Sequence, residues 1–245
     1  MTGAIWSGRI AGVPVGVHWS VTGALGVLVG PFGFARWPRV FPGYPEPVLV
    51  GASVVTAVLF VVSVLVHHLA HALVARRHGF AVRHVTLWLL GGVARLRGQA
   101  RRPGGALRTA VAGPLASLAT GALLGLVAWL AAAAEARLLA DALTHLVALN
   151  VALALVDLLP AAPLDGGRIL RAALRVGRMG PDRATVWSTR AEAVFGAVLI
   201  GYATIRLVIG PAGGAVLWLL AGLILVVVAV WERRRALPTR GMAPE

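Results

Sequence analysis

Two short segments of this chain carry side chains able to do chemistry within an otherwise apolar sequence. One is the run HHLAH from His67 to His71, and the other is DLLPAAPLDGG from Asp157 to Gly167. On a helix, His67 and His71 stand one turn apart on one face, a spacing that lets two imidazoles reach one zinc ion. An Asp from a second segment completes three protein ligands and leaves a fourth position for water. Asp165 suits that place. Gly166 and Gly167 permit a tight turn with close backbone approach, while Pro160 and Pro163 end the preceding helix and stiffen the approach. The chain has no cysteine, so disulfides, thiolate sites and cysteine nucleophiles are excluded, and any metal site is built from His, Asp and Glu. The competing reading is two histidines that hydrogen-bond across helices without a metal. Ionisable groups in apolar spans are costly and mark functional positions by default, which favours the metal.

The elements that position these groups are apolar spans. The 245 residues are 58% hydrophobic and 13% charged, with mean hydropathy +0.83. Soluble domains are about a quarter charged, and disorder requires low hydrophobicity. Six stretches approach the roughly 20 apolar residues that cross a bilayer: Val13 to Ala35, Pro47 to Ala75, Leu107 to Ala134, Leu138 to Leu159, Ala191 to Ile209 and Ala215 to Trp231. No cleavable signal peptide is evident, so the first stretch is read as a retained span. Spans two and four run in the same direction, so their C-terminal ends bring the His and Asp segments to matching depth.

The arginines orient the chain. All 23 basic residues are Arg and the net charge is +14. With the N-terminus in the cytoplasm, 19 of the 23 arginines fall inside, leaving only Arg36, Arg39, Arg137 and Arg206 outside. That bias is the positive-inside pattern, and it predicts both termini cytoplasmic. A nucleic-acid-binding protein would instead gather its arginines on one face of a folded domain. Between the spans, 81–98 is β-prone with a Gly-Gly pair and predicts two short strands, and Gly166 to Gly177 predicts an amphipathic helix at the interface. His18 beside Trp19 reads as an interfacial pair, and His145 as a partner for a neighbouring helix. His78 and His84 read as solvated, Asp141 and Glu192 as span-end groups that snorkel or pair with Arg, and Gly113-Pro114 as close packing with a local kink.

The order and spacing of several motifs resemble the site-2 protease family of intramembrane zinc metalloproteases (peptidase M50). The resemblance runs over roughly residues 8 to 232. It is carried by Gly8-Arg9-Ile10, Val17-His18-Trp19-Ser20, SVLVHHLAHALVARRHGFAV at 63–82, Leu90-Gly91-Gly92-Val93-Ala94, Ala112-Gly113-Pro114-Leu115 and DLLPAAPLDGGRIL at 157–170. It implies an all-α polytopic membrane protein with about six transmembrane helices, a three-helix zinc-binding core and a small membrane-associated β-hairpin. It implies Zn2+ held by His67, His71 and Asp165, and a strand at Gly91, Gly92 and Val93 that holds an unwound substrate by strand addition. The substrates implied are transmembrane proteins such as anti-sigma factors or signal precursors, cleaved within or near the bilayer of a bacterial cell membrane. Residues 1–232 are expected to form one domain and 233–245 a disordered basic cytoplasmic tail, with no PDZ or CBS domain.

Two residues depart from the family pattern. His68 stands where the family's His-Glu-x-x-His motif has its general-base Glu, and Asp157 stands where the family usually has Asn. Losing a positioned general base costs about 10²–10⁴-fold in rate. Three readings follow. The chain is a pseudoprotease that binds substrate helices and regulates another membrane protein. Or the base is rebuilt, from His68, whose ordinary pKa suits neutral pH, or from Asp157. Or His68 becomes an extra metal ligand and makes the site structural. A transporter would show inverted halves with matching broken helices, and the HHLAH and PLDGG segments are unlike one another.

Overall fold

The computed structural model describes residues 4–88, 91–97, 103–161, 164–209 and 214–236; Leu90, Pro163 and the tail beyond Ala236 lie outside them. By its internal contacts the chain divides into two units, Met1–Arg101 with Val111–Leu155, and Arg102–Ala110 with Val156–Glu245.

The first unit opens with a hairpin, β1 (Ala4–Ile10) and β2 (Val13–His18). Its two-residue turn places Ala11 at φ 49° and Gly12 at φ 75°, the paired positive values that match the twist of a tight hairpin. Arg76 at the end of α3 (Glu46–Arg77) donates to the Ala11 carbonyl at 2.8 Å and ties the turn down. β2 pairs in parallel with β3 (Ala81–Trp88), which pairs antiparallel with β4 (Gly91–Arg97), giving a sheet of order β1-β2-β3-β4. Val13, Val15, Ala72 and Val85 form the core between this sheet and α3.

The expected first span is therefore corrected. Residues 13–18 are a strand, and helix begins only at α1 (Val21–Val29), continuing through a π-helical stretch at Gly30–Arg36 to the short α2 (Trp37–Val40). The apolar run hid a period of two: Val13 and Val15 turn inward while Pro14 between them is half-buried, and that alternation belongs to a strand. The expected hairpin at 81–98 is present as β3 and β4, but as half of a four-stranded sheet. Of the expected six spans, four helices among the described residues are long and apolar enough to cross a membrane: Glu46–Arg77, Gly104–Ala133, Arg137–Asp157 and Pro181–Val208.

α3 presents lipid-compatible side chains on most of its surface but buries Ser53, Thr56, Ser63, His67 and His71 along one face. Ser53, Thr56 and Ser63 donate to carbonyls of their own helix at 2.7–3.0 Å, so these hydroxyls need no outside acceptor. α4 (Pro103–Ala133) continues through Pro114, and α5 (Arg137–Asp157) follows it. Near the start of α5, Asp141 accepts from Arg36 at 3.1 Å and from the Trp37 indole at 2.8 Å. The pairing expected of Asp141 is thus present. His145 instead bonds within its own helix, with Nδ1 2.7 Å from the Asp141 carbonyl oxygen, and the hydrogen bond expected to a neighbouring helix is not found among the described residues.

The second unit holds α6 (Asp165–Val176), α7 (Pro181–Ile209) and α8 (Ala215–Ala236). α6 is the amphipathic helix that the sequence predicted. α7 and α8 pack through a reciprocal glycine contact: a Cβ on Gly196 would stand 2.8 Å from the Gly222 carbonyl oxygen, and one on Gly222 2.7 Å from that of Gly196. Small residues let the two backbones approach this closely. Glu192 is only 1% exposed, so it does not snorkel at a span end. Arg171 donates to Ser188 at 3.1 Å and pairs with Glu232.

Candidate metal centre

His67 and His71 are 1% and 2% exposed, one turn apart on the buried face of α3. Their Nε2 atoms face each other at 3.1 Å. Two imidazole nitrogens this close need a proton between them or a shared cation, because two lone pairs repel. His67 Nδ1 lies 2.9 Å from Ser117 Oγ on α4. With Nε2 turned toward His71, Nδ1–H can donate to this hydroxyl, the kind of outer contact that orients a metal-binding imidazole.

Gly113 completes the cradle. A Cβ built on it would stand 2.1 Å from His71 Nε2 and 2.5 Å from His67 Nε2. Any side chain at this position would drive into both nitrogens, so only glycine leaves the facing Nε2 atoms uncovered. The residues fit a zinc ion on this opening and on donor chemistry: two buried imidazoles with facing Nε2 atoms and no side chain at position 113 to cover them. His68 joins them from the same helix, its ring centroid 4.9 Å from that of His67 and 6.2 Å from that of His71. Ligating atoms of all three histidines lie within 4.8 Å of one another.

In the second unit Asp165 returns to the neighbourhood of Asp157. Carboxylate oxygens of Asp157 and Asp165 lie within 4.8 Å of each other, and Arg168 donates to Asp165 at 3.1 Å. Gly166 makes the return possible, since a Cβ there would meet the Leu159 and Leu158 carbonyl oxygens at 2.1 and 2.3 Å. Asp165 is the first residue of α6 and is 8% exposed; a carboxylate is favoured at a helix N-terminus. Gly91, Gly92 and Val93 lie on β4, paired with Trp88, Leu87 and Thr86 of β3. β4 ends the sheet, so one of its edges has no strand partner among the described residues.

The family model named Peptidase family M50 matches residues 55–134 and 125–199. The chain belongs to peptidase family M50. Rip3 of Mycobacterium tuberculosis, named as a zinc metalloprotease, is 43% identical over 222 residues, covering 89% of this chain and 56% of Rip3. The protein sll0528 of Synechocystis, similarly named, is 35% identical over 174 residues, covering 70% of this chain and 44% of that protein. The chain spans about half the length of these curated relatives. The solved site-2 protease from Methanocaldococcus jannaschii aligns with a TM-score of 0.56 and 25% identity, covering 98% of each chain. This M50 chain is accordingly a membrane protein whose buried His-rich group suits Zn2+.

Three residues in and around the layer of the histidine pair carried no signal that spacing alone could decode. Gly113 was legible as a packing position but not as the opening of the cradle. Ser117 and Asn150 look like ordinary polar residues in apolar helices. Only their burial, at 1% and 0% exposure, marks them, and a search for isolated polar residues on the apolar spans would have found both.

Proposed function

We propose that this chain is an intramembrane zinc metallopeptidase of the site-2 type, which hydrolyses peptide bonds within or near the transmembrane segments of membrane proteins. The observation that carries this reading is the pair of buried Nε2 atoms of His67 and His71 facing across the space left by Gly113. His67, His71 and Asp165 are the zinc ligands in this reading. Bound zinc supplies Lewis-acid polarisation of the scissile carbonyl and makes water acidic near neutral pH.

The remaining roles belong to the chain. His68 replaces the family's Glu beside the two ligands and is the nearest base on α3, able to take the proton of the attacking water. Asp157 is the second candidate base, since it brings a carboxylate where the family pattern has Asn. Gly91, Gly92 and Val93 hold the substrate in extended form by main-chain hydrogen bonds, which exposes a peptide bond that a helix would hide. Both termini are cytoplasmic, the site lies toward the cytoplasmic side of a bacterial cell membrane, and substrates are transmembrane proteins such as anti-sigma factors or signal precursors.

His68 also motivates a second reading: a pseudoprotease that binds substrate helices and regulates another membrane protein. A reporter cleavage assay decides between them. The proteolytic reading expects cleavage by the native chain, abolished in His67→Ala. Cleavage that first emerges with His68→Glu makes the native chain a pseudoprotease. Native cleavage unchanged in Asp157→Asn eliminates Asp157 as the base. Zinc retained in full by both His67→Ala and Asp165→Ala overturns the ligand set.

A further inference from the structure

Asn150 lies on α5 and is completely buried. Its Nδ2 donates to the Leu146 carbonyl at 2.8 Å and reaches Ser63 Oγ at 3.3 Å. Those bonds fix which end of the amide is oxygen, and that oxygen, Oδ1, accepts no hydrogen bond among the described residues. A buried acceptor without a donor costs about 1–3 kcal/mol, so its retention needs a reason.

A matching donor stands nearby. With Nε2 of His67 directed into the cradle, the neutral ring carries its proton on Nδ1 and donates to Ser117 Oγ, 2.9 Å away. The Ser117 hydroxyl hydrogen then needs an acceptor, and Ser117 makes no other hydrogen bond among the described residues. Ser117 is one turn before Gly121 on α4, and a Cβ on Gly121 would stand 3.5 Å from the Asn150 Cβ. Neighbours one turn apart are about 5–6 Å from each other. Ser63, the other contact of Asn150, is one turn before His67 on α3. The surplus donor and the surplus acceptor thus sit about one turn, roughly 5–6 Å, apart in the same buried layer.

We infer that Asn150 is a positioning residue for the metal ligand His67, acting through Ser117: His67 Nδ1–H donates to Ser117, and the Ser117 hydroxyl donates through one bridging water to Asn150 Oδ1. The relay makes His67 a more basic ligand and holds its ring in one orientation, as hydrogen-bonded outer partners of metal-bound histidines do. It rests on the proposed metal at His67.

The test is zinc affinity of the purified full chain in detergent, measured by competition with a chromophoric chelator. Loss of an outer partner typically weakens metal binding about 10–100-fold. Ser117→Ala and Asn150→Leu are each expected to fall in that range, and the double variant to be no weaker than the weaker single, because the two act in series. Asn150→Asp keeps an acceptor oxygen and loses the amide donor, so it is expected to keep native affinity. Ser63→Ala removes only the helix clasp and is expected to stay within about twofold. Asn150→Asp as weak as Asn150→Leu, or additive losses in the double variant, would overturn the relay and leave Asn150 a structural clasp. Should Asn150→Leu not fold, Ser117→Ala with native affinity would overturn it equally. A native chain that binds zinc no better than His67→Ala removes the metal itself, and the relay with it.

Discussion

Replacing Gly113 with Ala separates the metal cradle from the stability of the fold. Within a helix, Gly→Ala ordinarily stabilises by about 1 kcal/mol. Here the new methyl would stand 2.1 Å from His71 Nε2, 2.5 Å from His67 Nε2 and 2.7 Å from His71 Cδ2. Comfortable contacts between heavy atoms are about 3.5–4.0 Å, so both rings or α4 must move by more than about 1 Å. Overpacking of this kind costs about 1–3 kcal/mol. Set against the propensity gain, the net loss is at most about 2 kcal/mol, small beside the roughly 5–15 kcal/mol of a typical domain. Zinc binding suffers far more, because the methyl presses directly on both of the nitrogens that would hold the metal. Outer partners alone are worth about 10–100-fold in affinity, so displacing two ligands sets a floor of about 100-fold. The assay is zinc per chain by elemental mass spectrometry after dialysis, beside a thermal melt in detergent. Gly125→Ala is the control: it lies on the same helix, and its Cβ would meet nothing closer than Val147 Cγ2 at 3.7 Å. A Gly113→Ala protein that melts like the control and holds zinc like the native chain would refute the placement of the metal.

Three further outcomes follow from the same geometry. Gly166→Ala drives a methyl onto two backbone oxygens that cannot rotate away, so it is expected to cost at least about 3 kcal/mol and to lower zinc content, read by thermal unfolding and metal analysis. Gly196→Leu should force α7 away from α8, which touch through opposed glycines; a cysteine pair engineered across that contact should cross-link in the native background and fail in the variant. Asp141→Ala removes the acceptor shared by Arg36 and Trp37. With the Arg36 side chain partly in solvent and Trp37 buried, the Trp37 bond dominates, and a loss of about 1–2 kcal/mol is expected, measured by equilibrium unfolding.

The shared burial of the histidine pair was legible because His67 and His71 fall one turn apart in an apolar span, where ionisable side chains are costly unless enclosed, and both are buried. The return at Gly166 was legible for a similar reason, since paired glycines after an Asp announce a close backbone approach. Other features were hidden by what a hydropathy window measures. It registered residues 13–18 as the start of a span, although Val13 and Val15 alternate inward as a strand. It could not find the parallel pairing of β2 with β3, because register between distant segments leaves no local mark. For Glu192 the sequence left snorkelling and pairing open, and only its burial removes the first, because distance from a span end does not tell which neighbours enclose a side chain. Gly113 shows the same limit at the site: its motif announced proximity, and only coordinates showed what occupies the other side.

The parallel register of β2 with β3 also bears on synthesis. Val15 pairs with Val85, about 70 residues later in the chain. At about 5–20 residues per second, the N-terminal hairpin waits roughly 4–14 seconds for its neighbour, while α1 and the whole of α3 are made. Throughout that interval the inner edge of β2 is open, and an open edge is a template for wrong partners. Pro14 has no N–H to offer such a partner, and Arg9 places a charge on the companion strand. The hairpin thus carries, in its own composition, protection suited to a strand that must stay unpaired until its mate emerges.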